Sequence, residues 1–125
     1  MDNIYRQELL EVFKNPTYKG VLDEPKLSVT ERNSFCGDVL TLDLKIEDNK
    51  VVSAKFDGDM CMVSLVSADL LLDQLIGKSI EDLKNINKQD VLSNIDVNLT
   101  TSRVKCALLV LQALQSAIKK YETNN

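Results

Sequence analysis

Histidine is absent from all 125 residues. That removes the usual general base, the usual proton shuttle and the commonest metal ligand. Any site chemistry must come from Cys, Asp, Glu, Lys, Arg or Tyr. An excess of positive charge is missing too: 15 Lys and Arg against 19 Asp and Glu leave a net charge of -4, scattered along the chain. Without a basic footprint for a phosphate backbone, nucleic acid is not expected as a partner. No apolar run approaches the roughly 20 residues that a membrane span needs, so no membrane partner is expected either. The opening "MDNIYRQELLEVF" mixes acids among its apolar residues, unlike the basic start and apolar middle of a signal peptide. The expectation is a soluble, cytoplasmic protein. Its length suits one domain, spanning 1-125, with a core that needs no disulfide staples.

Cysteine is scarce but present. Cys36, Cys61 and Cys106 are an odd number, and a cytoplasmic setting argues against structural disulfides, so they read as free thiols or metal ligands.

Periodicity supplies the elements. Residues 3–14 read as a helix with Ile4, Leu9, Val12 and Phe13 on its apolar stripe, stopped by "NP" at 15 and 16. Residues 27–32 form an edge strand. In 39–46, Leu40, Leu42, Leu44 and Ile46 alternate with Thr41, Asp43 and Lys45, a strand packed on one face only. After "EDNK", residues 51–56 return as the hairpin partner, with Val52, Ala54 and Phe56 inward. From Cys61 the period becomes helical, with Cys61, Leu65, Ala68, Leu72 and Leu75 on one face until Gly77. Ser79 opens a short helix with Asp82 at its third position. Another turn of helix covers 88–94, and a final helix runs from about Ser102 to Tyr121. Helices segregated onto one face of a small three-stranded antiparallel sheet, with a long C-terminal helix, make an α+β fold.

All three cysteines fall at element ends. A helix N-terminus favours thiolate, and the pattern places Cys61 and Cys106 near such ends. Gly37 lets the chain turn between Cys36 and Asp38, so that both side chains can face one centre. Three thiolates and one carboxylate would complete a tetrahedral metal site, with Arg103 and Lys105 near enough in sequence to offset its negative charge. Each residue also has a plainer reading. Free cysteines pack well in cores, Arg103 and Lys105 suit a solvated helix face, and Asp38, with no adjacent helix to cap, suits a turn. Asp59 and Met60 read as a loop residue and a packing residue. The steps between cysteines match none of the compact CxxC spacings of zinc sites, so the residues alone leave both readings open.

Four stretches, "YRQELLEVFKNPTYKGVL", "FCGDVLTLDLKIEDNKVVSAKFDGDMC", "GKSIEDL" and "SRVKCALLVLQAL", in this order resemble the U-type iron-sulfur cluster assembly proteins, the group of IscU, SufU and the N-terminal domain of NifU. The resemblance implies that Cys36, Asp38, Cys61 and Cys106 converge on one exposed site for a transient [2Fe-2S] cluster or Zn2+. It also implies that Cys36, Cys61 and Cys106 are the candidate persulfide acceptors. The partners it implies are a cysteine desulfurase of the SufS or IscS kind and apo iron-sulfur acceptor proteins. A carboxylate is a harder donor than thiolate, and suits a ligand set that must hand its cargo on. Lys105 stands where IscU carries His, and "RVKC" is SufU-like, whereas the 45-residue step from Cys61 to Cys106 leaves no room for the SufU insertion. Val12 replaces the family's His in the first helix. The IscU chaperone-recognition segment LPPVK is not visible in "IDVNLTTSRVKC", which leaves a dedicated chaperone doubtful. The expected function is a cluster assembly scaffold; the alternatives are a zinc-dependent sulfurtransferase, with Arg103 contacting the departing ligand or the partner, and a zinc-stabilised interaction domain.

Overall fold

The computed structural model describes residues 3–24, 26–34, 37–95 and 99–123. In chain order the elements are α1 (Asn3–Lys14), β1 (Leu27–Asn33), β2 (Asp38–Glu47), β3 (Lys50–Asp59), α2 (Met62–Leu75), α3 (Ile80–Lys84), α4 (Lys88–Ile95), α5 (Thr101–Ala107) and α6 (Leu109–Thr123). The strands pair antiparallel in the order β1-β2-β3. The α+β architecture read from the pattern is the one observed. Among the described residues no helix is long and apolar enough to cross a membrane.

The alternation of β2 does what its period demands: Leu40, Leu42 and Leu44 are buried against α2 and α6, together with Ala54 and Phe56 of β3. The β2–β3 hairpin turns on Asp48 and Asn49, both at positive φ, between the paired residues Glu47 and Lys50. Two such residues give the backbone twist that a two-residue hairpin turn requires. The register then shifts: Lys45 pairs with Ser53 but Ile46 pairs with Val51, so Val52 is the extra residue of a bulge. The bulge reverses the facing of the strand. Val51 is fully buried and Val52, expected inward, is exposed.

Burial corrects two further expectations. Phe13 is exposed on α1, while Leu9 packs with Val66, Ile95 and Ala107 in a second cluster that also receives Val12. Asp43, expected on an open face of β2, is buried because the connector after α1 folds over it. The Leu22 N–H (3.1 Å), the Ser28 hydroxyl (2.6 Å) and the Lys26 ammonium (3.4 Å) satisfy its carboxylate. The same connector runs along the free edge of β3, where Gly20 N–H donates to Phe56 O and Phe56 N–H donates to Tyr18 O. Tyr18 binds it to α2, its N–H donating to Asp69 and its hydroxyl to Asp73, each at 2.7 Å.

The short helices follow their caps. Ser79 accepts the Asp82 N–H, as expected, and Asn87 and Asp90 form a reciprocal capping box at the start of α4. The final helix is not continuous: it breaks at Leu108 into α5 and α6. Two hydroxyls from α2 lie at that break, Ser64 Oγ 2.9 Å from Cys106 O and Ser67 donating to Ala107 O at 2.6 Å. Side chains inserted at consecutive carbonyls are a recognised cause of such interruptions.

Candidate metal centre

Sheet register brings the first two site residues together. Gly37, at φ +77°, turns the chain after β1, and its N–H closes the loop onto Asn33 O at 2.8 Å. Asp38 then opens β2 opposite Asn33. Because Val39 pairs with Asp59, the chain leaving β3 lays Met60 against the core and brings Cys61 beside Asp38. The Cys61 N–H donates to Asp38 Oδ1 at 3.2 Å. Cys61 is the N-cap of α2, its Sγ accepting the Ser64 N–H at 3.5 Å. A thiol there faces the positive end of the helix, as expected from its position in the pattern.

Cys106 arrives differently. The break at Leu108 leaves it in the last turn of a seven-residue helix whose N-cap is Thr100, so the N-terminal electrostatic argument does not apply to it. Instead it is buried, 1% exposed, with the Asn33 amide donating to its Sγ at 3.8 Å. Ligand atoms of Asp38, Cys61 and Cys106 all lie within 4.8 Å of one another. Two ligands of one tetrahedral zinc stand roughly 3.8 Å apart when each Zn–S bond is about 2.3 Å, so small side-chain rotations bring this set onto an ion. Cys36, two residues before Asp38 in sequence, lies outside the described residues. Arg103 and Lys105 are exposed on α5.

Asp38 is not simply a turn residue. It is 5% exposed, and Ser64 donates a hydrogen bond to its second oxygen. Asp38 therefore caps α2 through space, taking one donor on each oxygen. Sequence reading missed Ser64, Ser67 and Asn33. Ser64 had a usable signal, lying three residues after an N-cap position; Asn33 had none.

Two thiols and a carboxylate converging beside a helix N-terminus, on a three-stranded sheet backed by helices, define a protein able to hold a soft metal ion or handle sulfur. Comparison with known proteins agrees. The chain belongs to the NifU-like N terminal domain family, whose model matches residues 4–125. It is 32% identical to the zinc-dependent sulfurtransferase SufU of Bacillus subtilis, covering 100% of this chain and 96% of that protein. It is 31% identical to the iron-sulfur cluster assembly scaffold protein IscU of Thermotoga maritima, covering 94% of each. Among solved structures, a putative iron-sulfur cluster assembly scaffold protein for the SUF system from Fervidobacterium islandicum superposes with a TM-score of 0.76 at 25% identity, over 88% of this chain and 93% of that one. A NifU-like protein from Brucella abortus shares the fold, with a TM-score of 0.80 at 21% identity, over 99% and 98%.

Proposed function

We propose that this chain, acting as one domain, is an iron-sulfur cluster assembly scaffold that takes sulfur from a cysteine desulfurase, takes iron, and passes the cluster to apo acceptor proteins. Its ligand set is Cys36, Asp38, Cys61 and Cys106. The observation that carries the reading is the approach of Asp38, Cys61 and Cys106 to within 4.8 Å of one another. Of the two described cysteines, Cys61, half-buried at the mouth of α2, is more open than the buried Cys106 and is the better placed to receive sulfur. Its thiolate attacks the outer sulfur of the desulfurase persulfide. One S–S bond forms as another breaks, and the desulfurase cysteine leaves as thiolate, with no net oxidation. Asp38, the harder donor, is the ligand that exchanges most readily when the cargo moves on. Free thiols in this role fit a reducing compartment such as the cytoplasm.

A second reading has support in the SufU relative, named as a zinc-dependent sulfurtransferase. The same four residues would hold zinc, which would supply control over which thiolate is free to accept persulfide. Arg103 is then the candidate for receiving the released ligand. Anaerobic reconstitution with a cysteine desulfurase, iron and cysteine separates the two. The scaffold reading expects a visible cluster chromophore. Tightly held zinc, no chromophore and faster desulfurase turnover would reject it in favour of sulfur transfer. An inert zinc-bound domain would give neither response.

A further inference from the structure

Ser64 contacts all three described ligand residues. Its hydroxyl bonds Asp38 Oδ2, lies 2.9 Å from the Cys106 carbonyl oxygen and receives the Cys61 thiol at 3.6 Å. Its own N–H reaches back to Cys61 Sγ at 3.5 Å. The residue is 1% exposed, so water cannot substitute for these bonds at the surface. Ser67, one turn further along α2, bonds the neighbouring carbonyl of Ala107 at 2.6 Å and thus provides a matched comparison. Ala107 contributes no ligand.

We propose that Ser64 is a positioning residue of the metal centre: its hydroxyl sets the mutual placement of Asp38, Cys61 and Cys106, and so the affinity of the site for a divalent ion. The proposal rests on the ligand set put forward above. A carboxylate has about four lone-pair sites. The Cys61 N–H and the Ser64 hydroxyl occupy one on each oxygen of Asp38 and so orient the carboxylate. Without the hydroxyl, Asp38 loses its anchor on Oδ2, and its terminal torsion, which has a broad well, is held less firmly. The approach of the hydroxyl to the Cys106 carbonyl, 2.9 Å away at the turn that presents the thiol, is lost with it. Hydrogen-bond partners of metal ligands commonly change affinity by about 10–100-fold when removed.

The test is chelator-competition titration of Zn2+ with wild type, Ser64→Ala and Ser67→Ala, with urea denaturation of each metal-free protein. Wild type binds one zinc ion. Ser64→Ala is expected to bind it about tenfold or more weakly, while Ser67→Ala binds as wild type despite a comparable loss of stability. The visible bands of the Co2+-loaded protein should change for Ser64→Ala only, because they report ligand geometry. Wild-type affinity and spectrum in Ser64→Ala, or equal weakening in Ser67→Ala, would overturn the proposal. Failure of wild type to bind zinc or cobalt would instead overturn the ligand set beneath it. If Ser64→Ala does not fold, Ser64→Thr and Ser64→Val replace it as a pair of equal shape. Thr should then bind at least about tenfold more tightly than Val, and equal affinity rejects the proposal.

Discussion

Asp38 caps a helix whose N-cap, Cys61, lies 23 residues after it, its Oδ1 accepting the Cys61 N–H at 3.2 Å. The carboxylate proposed above as a metal ligand thus also fastens the start of β2 to the start of α2. Folding and site assembly share this bond, and substitutions at the site separate the two roles.

At Asp38 itself, Ala and Asn should diverge. Asp38→Ala leaves the Cys61 N–H and the Ser64 hydroxyl without this acceptor, an expected loss of about 1–3 kcal/mol in urea denaturation of metal-free protein. Asp38→Asn keeps a carbonyl for the N–H but loses the charge. Its stability should lie within about 1 kcal/mol of wild type, while its zinc affinity falls. Equal stability of wild type and Asp38→Ala would show that the cap contributes nothing.

The two described cysteines should also respond differently. Serine is among the preferred N-cap residues, so Cys61→Ser should keep or raise the thermal midpoint while abolishing tight zinc binding. Cys106 is buried, and Cys106→Ser places a hydroxyl there at a cost of about 1–3 kcal/mol. Zinc should raise the melting temperature of wild type and of neither variant. A zinc-dependent rise in Cys106→Ser would remove that residue from the ligand set.

Gly58 is a packing constraint behind the site. It sits at φ +136°, and a Cβ there would lie 2.1 Å from the Val39 carbonyl oxygen, on the strand next to Asp38. Gly58→Ala should destabilise the protein by at least about 2 kcal/mol, because backbone must move to admit the methyl. Denaturation curves superposing on wild type would refute this packing.

Tyr18 gives a pH dependence. Its hydrogen bond to Asp73, then burial, then the charges of Asp73 and Asp69 raise its pKa above the ordinary 10.0. The folded state holds the phenol proton more tightly than the unfolded chain. This contribution is fully present below pH 10 and is lost as pH rises through the higher folded value. Urea midpoints measured from pH 8 into the region above 10 should therefore fall more steeply for wild type than for Tyr18→Phe. Parallel curves would exclude the phenol as the source.

Local pattern carried much of the fold because burial on one side of a strand or helix imposes a period that the chain displays directly. Leu40, Leu42 and Leu44 show it on β2, and Leu65, Ala68, Leu72 and Leu75 on α2. Departures came where one element acts on another. Val52 is displaced by a bulge in pairing, Asp43 is buried by a connector from elsewhere in the chain, and α5 ends where hydroxyls of α2 meet its carbonyls. None of these leaves a periodic trace.

The sequence by itself determined the chemical kinds available for a site: no imidazole, three thiols, and a carboxylate two residues after the first of them. Ligand softness and charge follow from residue type alone. Tertiary structure decided that Asp38 meets Cys61 and Cys106, that Cys106 sits at a helix end rather than a helix start, and that Ser64 stands between them. These depend on strand register and helix docking, which at the site join residues as far apart as Asn33 and Cys106, 73 positions from each other. Distances of that kind are fixed by packing over the whole core, and no short stretch encodes them.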